Sequence, residues 1–173
     1  VHWFERRFPD TSTEVVVACG TGNNGGDSQA IARLLFHRFY SVRVLLLKIG
    51  ETLSPDCQIN LDRLPPRDAA PLQVLAAGEP LPSLPGSAIL IDAVFGSGLN
   101  RPVEGYWGTC IEALSAHPGI KISVDLPSGL SADSHSPGTV FKADFTCTFE
   151  APKLAFFMPE NAAFVGEWEI VSI

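Results

Sequence analysis

A six-residue run, Gly20-Thr-Gly-Asn-Asn-Gly25, narrows the choice of fold more than any other part of this sequence. It follows Glu14 to Cys19, a continuously apolar and β-branched stretch of the kind that forms a strand buried on both faces. After it, apolar residues recur at helical spacing between Asp27 and Phe39, and Asp27 is placed to cap that helix. A buried strand, a glycine-rich loop and a helix in this order predict one unit of a parallel α/β sheet.

The remainder of the chain continues this alternation. Further strands are predicted at 42–49, 72–75, 88–93, 120–124, 143–149 and 168–173, and helices at 54–64 and 106–116. Ser54 is expected to cap the first of these two helices, with Pro55 in its first turn. The proline-rich stretch 65–86 predicts a surface connection around a short strand. Together these elements predict a parallel sheet with helices on both faces, whose ligands bind at the carboxyl ends of the strands.

Length and composition limit the function. A chain of 173 residues with no linker or internal repeat predicts a single domain. The balance of 12 basic and 19 acidic residues, a net charge of −7, disfavours non-specific binding of nucleic acid. No apolar run approaches the ~20 residues of a membrane span. Four scattered cysteines without a C-x-x-C pair argue against a zinc site and indicate a reducing, cytoplasmic location.

The glycine-rich run matches the dinucleotide fingerprint G-x-G-x-x-G in the required strand and helix context. Small residues there let a ligand approach backbone N–H groups at a helix N-terminus. An NAD-dependent dehydrogenase also needs an acidic residue at the end of the second strand, where this chain has Leu47-Lys-Ile49. The adjacent amides of Asn23 and Asn24 favour a ligand over a plain turn. An oxidoreductase and a ligand-free turn nevertheless stay open as alternatives.

Two aspartates, Asp92 and Asp125, end predicted strands at the edge where a ligand should lie. Either one alone could simply begin a loop. With Asn24 and Ser128, Asp92 offers a set of oxygen ligands with one formal charge, which suits a monovalent cation better than Mg²⁺ or Zn²⁺. Asp125 then stays free to transfer a proton. Lys153 follows a strand and is expected either to meet an anion or to lie on the surface.

Three motifs, in this order and spacing, resemble the NAD(P)H-hydrate epimerases, the YjeF N-terminal-type domain. They are Gly20 to Asp27, Ile91 to Pro102 and Ser123 to Leu130. The later segments Ala151 to Leu154 and Gly166 to Ile170 are similar as well. The resemblance implies a Rossmann-like three-layer α/β/α sandwich with a mostly parallel sheet.

The resemblance implies a single domain over residues 14–173, with residues 1–13 as the remnant of an N-terminal extension. It also implies an isomerase that interconverts the R and S epimers of NADHX and NADPHX, hydrated forms of the nicotinamide cofactors, as part of cofactor repair. Its expected partners are these small molecules and neither nucleic acid nor a membrane. A homodimer, and a fused or separate NAD(P)H-hydrate dehydratase, are left open.

The resemblance also assigns the site by motif position. Asp125 is implied as the acid/base residue, and K⁺ is implied with Asn24, Asp92 and Ser128 as its ligands. The residues implied to bind the substrate are Asn23, Asn24, Gly25, Gly26, Asp27, Gly96, Ser97, Gly98, Leu99, Asn100, Arg101, Pro102 and Asp125. A non-catalytic scaffold or binding module of the same domain type is the competing interpretation. Such a module has no need to keep these side chains together.

Overall fold

The computed structural model describes residues 1–66 and 68–172. Within these residues seven strands form one sheet. Strands β1 to β7 are Val15–Cys19, Val42–Leu47, Leu72–Leu75, Ile89–Ala93, Lys121–Val124, Phe145–Phe149 and Glu167–Val171. Their order is β3-β2-β1-β4-β5-β6-β7, and each neighbouring pair is parallel. The predicted α/β sheet is therefore confirmed, and its described strands are all parallel.

Helices cover both faces of the sheet. Helices α1 to α5 are His2–Arg7, Asn23–His37, Pro55–Asp62, Gly105–Ser115 and Ala162–Val165, and two 3-10 helices span Leu154–Phe157 and Pro159–Asn161. The buried residues of α1 and α2 pack on one face, and those of α4 pack on the other. This arrangement confirms the three-layer sandwich. No helix in the described part of the chain is long and apolar enough to cross a bilayer.

Strand β1 lies inside the sheet, between β2 and the middle strand β4, and is fully buried along its length. Val15, Val17 and Cys19 contact the layer that contains α1 and α2, whereas Val16 and Ala18 contact the layer that contains α4. Its five residues are therefore apolar without alternation, as the sequence pattern predicts. This position brings the glycine-rich run that follows β1 next to the end of the middle strand, β4.

Helix α2 begins at Asn23, so the predicted start at Asp27, with Asp27 as the cap, is wrong. Gly22 is the N-cap residue, and its carbonyl accepts a hydrogen bond of 3.1 Å from the N–H of Gly26. Asparagine and glycine are poor helix formers, so the local sequence resembles a loop. Tertiary packing overrides that preference, because a Cβ atom at Gly25 would lie only 2.0 Å from the carbonyl oxygen of Gly20. Glycine lets the first helical turn rest directly on the end of β1.

Helix α1 lies inside residues 1–13, for which no element was predicted. Trp3 and Phe4 are buried in the core, and Tyr40 donates a hydrogen bond of 2.8 Å to the carbonyl of Phe8. The segment that the resemblance treats as a remnant is thus an integral part of the α1 and α2 layer.

The other predicted elements agree with the structure to within a few residues. Ser54 caps α3 as predicted, accepting a hydrogen bond of 3.2 Å from the N–H of Cys57, and Pro55 is the first helical residue. Arg67, in the predicted proline-rich connection, and Ile173, the last residue of the final predicted strand, lie outside the described residues.

Candidate active site

A cleft of about 670 Å³ opens at the carboxyl end of the sheet, beside β1 and β4. The chain leaves β1 through α2 to reach β2 on one side, while β4 pairs with β1 on the other side. The connections that follow β1 and β4 therefore run in opposite directions along the sheet. The crevice between them is the topological switch point, where open α/β sheets bind their ligands. The volume is that of a typical small-molecule site.

The residues that line the cleft come from the connections after β1, β2, β4 and β5 and from the last residue of β6. They are Thr21, Gly22, Asn23, Asn24, Asp27, Ile49, Val94, Phe95, Gly96, Ser97, Gly98, Leu99, Asn100, Arg101, Asp125 and Phe149. Most of the residues implied to bind substrate are among them, and both glycine-rich loops lie at the same edge as Asp125. Ile49 and Phe149 were not singled out from the sequence, although each lies at or just beyond the carboxyl end of a strand.

Three of the residues implied to bind substrate do not line the cleft: Gly25, Gly26 and Pro102. Gly25 and Gly26 are buried inside the first turn of α2. Gly26 packs against α3, where an added Cβ atom would lie 3.0 Å from the backbone nitrogen of Cys57. The two glycines shape the cleft by allowing close packing behind its wall.

Asp92, in β4, is the most deeply buried carboxylate of the site, with no exposed surface. The Ser128 hydroxyl lies 2.5 Å from its Oδ1, and its Oδ2 accepts the Ser128 N–H at 2.8 Å and the Ser123 hydroxyl at 3.0 Å. Burial raises the pKa of Asp92 to about 6, although these hydrogen bonds oppose the shift. A positive charge placed beside this carboxylate would stabilise its ionised form.

Asn24, in the first turn of α2, contacts the chain at the ends of both β4 and β5. Its amide nitrogen lies 2.9 Å from the carbonyl oxygen of Phe95 and 3.3 Å from that of Val124. The same Phe95 carbonyl lies 3.4 Å from the Ser128 hydroxyl. The three residues predicted to bind a cation are therefore gathered around the ends of β4 and β5.

This cluster is rich in oxygen and poor in charge. Asp92 supplies the carboxylate, and the other oxygens belong to the Ser128 hydroxyl and to the main-chain carbonyls of Phe95 and Val124, toward which Asn24 directs its amide nitrogen. In the described part of the chain, no group of three or more His, Cys, Asp or Glu side chains could hold a metal ion. The donor set fits a weakly charged monovalent cation, and it does not resemble a zinc site.

Asp125 follows β5 directly and has a left-handed backbone conformation, with φ of +65°. Its Oδ1 accepts hydrogen bonds from the N–H of Phe149 at 3.1 Å and from the Thr148 hydroxyl at 3.2 Å. The Lys153 ammonium lies 2.8 Å from the same oxygen. Of the two alternatives for Lys153, the structure supports contact with an anion, and the anion is Asp125.

Asp27 is the second carboxylate that lines the cleft. Its pKa is raised, first by desolvation and then by the negative charges of Asp125 and Asp56. The cleft thus contains one carboxylate that is paired with a cation and another whose surroundings disfavour its charge.

Comparison with known proteins identifies the family to which this architecture belongs. The family described as YjeF-related protein N-terminus matches residues 1–155. The chain belongs to this family. A crystal structure of the yeast protein YNL200c has the same fold, with a TM-score of 0.73 over 99% of this chain and 73% of that one, at 22% sequence identity.

Relatives in this family include single-function and bifunctional enzymes. The chain is 35% identical to an NAD(P)H-hydrate epimerase of Rhodopirellula baltica over 92% of its own length and 65% of that protein. It is 34% identical to an NAD(P)H-hydrate epimerase of Limosilactobacillus fermentum over 90% of its length and 72% of the relative. A bifunctional NAD(P)H-hydrate repair enzyme Nnr of Hyperthermus butylicus is 35% identical, and the chain spans only 30% of it.

Proposed function

We propose that this chain is an NAD(P)H-hydrate epimerase, an isomerase that interconverts the R and S forms of NADHX and NADPHX. The observation that carries the proposal is the position of Asp125, in one cleft with two glycine-rich loops at the switch point of the sheet. Membership of the family and the names of the relatives point to the same reaction. A stereospecific dehydratase can then use the product, whichever epimer formed first.

The cleft wall suits a dinucleotide that is bound without the acidic residue by which dehydrogenases hold the ribose hydroxyls. Its loops offer backbone N–H groups and the neutral side chains of Asn23, Ser97 and Asn100. Arg101 adds a cation that can pair with a phosphate. The second strand ends in Leu47, not in an acidic residue, so the ribose hydroxyls need another partner. We infer that the nicotinamide ring lies toward Asp125 and that the phosphates lie toward the glycine-rich loops.

The reaction inverts a carbon that carries a hydroxyl group. In the proposed route, a proton passes from Asp125 to the C6 hydroxyl, the C6–O bond breaks, and water leaves a cationic ring that the ring nitrogen stabilises. Water then adds from either face and returns a proton to the carboxylate. The Asp125 carboxylate also provides the negative environment that the cationic ring needs. One residue thus donates a proton to the leaving hydroxyl and accepts one from the water that adds, so the net charge is unchanged over the cycle.

We propose K⁺ as the bound cation, because the Asp92 carboxylate, the Ser128 hydroxyl and the main-chain carbonyl that Asn24 contacts offer several oxygens and one charge. These three residues would hold the ion. When bound, the ion supplies positive charge that offsets the buried carboxylate and ties together the loops after β4 and β5. Asp92, engaged in this role, is left out of the proton transfer.

The proposal extends to the surroundings of the enzyme. The bifunctional relatives carry the name of a repair enzyme, so we infer that the chain works with a dehydratase, fused or separate. All four cysteines are free thiols, which is consistent with the proposed cytoplasmic location. A homodimer is a further part of the proposal that sedimentation can test.

The deciding experiment follows purified R and S hydrates separately by chromatography, with and without the protein in potassium buffer. Exchange that is faster than the spontaneous rate supports the epimerase. Exchange at the spontaneous rate would instead favour a non-catalytic binding module. Oxidation or reduction of NAD with added alcohols or acids would favour the oxidoreductase alternative.

A further inference from the structure

Lys153 and Asp125 form an ion pair beside the cleft, and both side chains are mostly buried. The exposed fraction is 20% for Lys153 and 14% for Asp125, and the two charged atoms lie 2.8 Å apart. An ion pair at this depth is shielded from solvent and held more rigidly than a surface pair. It is therefore able to determine how the carboxylate is oriented.

The ammonium group of Lys153 also contacts two main-chain carbonyls. Lys153 Nζ lies 3.3 Å from the carbonyl oxygen of Phe149 and 3.4 Å from that of Ala151. These carbonyls belong to the sharp turn that follows β6, where Glu150 has a left-handed backbone with φ of +61°. Asp125 is left-handed too, at the end of the neighbouring strand β5. The left-handed conformation costs free energy in a residue with a side chain, and two such residues, Asp125 and Glu150, lie next to the contact between Lys153 and Asp125.

All the contacts described for the Asp125 carboxylate fall on one of its two oxygens. Oδ1 receives Lys153 Nζ, the N–H of Phe149 and the hydroxyl of Thr148. Among the described residues no hydrogen bond reaches Oδ2. The carboxylate is anchored by one oxygen, and Asp125 lines the cleft, so the other oxygen is available to a ligand.

We propose that Lys153 is a positioning residue for the reaction, which fixes Oδ1 of Asp125 so that Oδ2 faces the C6 hydroxyl of the substrate. This inference rests on the proposed function. Lys153 does not line the cleft, so it acts through Asp125 and not on the substrate.

The test compares Lys153→Met, which removes the charge but keeps a long chain, with Lys153→Arg, which keeps the charge. The matched control is Lys121→Met, because Lys121 pairs with Asp144 at 3.1 Å and lies at the start of β5, away from the cleft. For Lys153→Met we expect kcat to fall about 10- to 100-fold, a part of the 10²- to 10⁴-fold that acid–base catalysis typically supplies, with KM nearly unchanged. Lys153→Arg should recover most of kcat, and Lys121→Met should leave it unchanged.

The inference is overturned if Lys153→Met keeps its kcat, if KM alone changes, or if Lys121→Met lowers kcat equally. Failure of the proposed function is a separate outcome, because the wild-type protein itself would then not exceed the spontaneous rate. A crystal structure of Lys153→Met judges the positioning role even in that case. Rotation of the Asp125 carboxylate supports the role, and an unmoved carboxylate overturns it.

Discussion

Ser128 and Asp92 are joined by a buried hydrogen bond of 2.5 Å between the serine hydroxyl and Oδ1 of the aspartate. The same hydroxyl accepts the N–H of Phe95 at 2.8 Å. One side chain thereby connects the segments that follow β4 and β5, both of which contribute residues to the cleft wall. Loss of the Ser128 hydroxyl would therefore affect both the stability of the fold and the shape of the site.

Removal of the Ser128 hydroxyl should weaken both the fold and its response to potassium. In Ser128→Ala, the Phe95 N–H and the Asp92 carboxylate each lose a buried partner, so the free energy of unfolding should fall by about 1–3 kcal/mol. Potassium chloride should raise the wild-type Tm more than tetramethylammonium chloride does at equal ionic strength. A tenfold excess of ion over its Kd adds about 1.4 kcal/mol.

Ser134→Ala is the control for this experiment, because Ser134 is exposed and its hydroxyl contacts only the side chain of Ser131 among the described residues. It should retain both the stability and the potassium increment. Equal Tm shifts in the two salts for wild-type protein would contradict the proposed K⁺ site.

Asp125→Asn should lose about 10²- to 10⁴-fold in epimerisation rate, the range of a general acid–base residue. The amide keeps the size of the side chain but removes the proton that the reaction transfers. Stopped assays with resolved hydrates measure the rate, and calorimetry with an unreactive NADPH analogue measures binding, which should change little. Asp133→Asn, at an exposed position, is the control. Near wild-type turnover in Asp125→Asn would mean that Asp125 only supports the turn after β5.

Two glycines of the same loop should respond differently to alanine. Gly25→Ala places a Cβ atom 2.0 Å from a backbone oxygen, so the start of α2 must move and the free energy of unfolding should fall by about 3 kcal/mol or more. Gly22→Ala meets no atom within 4 Å and should cost about 1 kcal/mol or less. Urea denaturation measures both values. Equal losses would show that α2 does not rest on the end of β1.

Asp27→Asn should stabilise the protein at neutral pH but not in acid. The pKa of Asp27 is raised in the folded chain, so the folded state binds its proton more tightly than the unfolded state, whose ordinary value is 3.8. This contribution to stability is complete below that value and is lost as pH rises through the folded pKa. A neutral amide avoids the loss, which we expect to be about 1 kcal/mol or less at this exposed site.

The measurement for Asp27→Asn is the urea midpoint at pH 7 and at the lowest pH where the fold persists. The urea midpoint of the variant should exceed that of the wild type at pH 7, and the difference should disappear in acid. An equal difference in urea midpoint at both pH values would contradict an electrostatic origin of the stabilisation. Asp133→Asn provides the baseline for an exposed aspartate.

The amino-acid sequence by itself determined the alternation of strands and helices and the edge at which the site lies. Buried parallel strands need unbroken apolar runs, and residues that end such strands, such as Asp92 and Asp125, must meet at one edge of the sheet. These signals are local and therefore visible in a linear sequence.

Only the tertiary structure decided where α2 begins, that α1 exists, and which side chain holds Asp125. The start of α2 depends on contact between Gly25 and Gly20, which overrides a poor local helix propensity. Helix α1 has six residues, too few to be stable without the core it packs on. The contact of Lys153 with Asp125 joins two separate strand ends, so it depends on the β5 and β6 pairing and on two left-handed turns. Propensity and periodicity describe neighbours along the chain, whereas these features arise from neighbours in space.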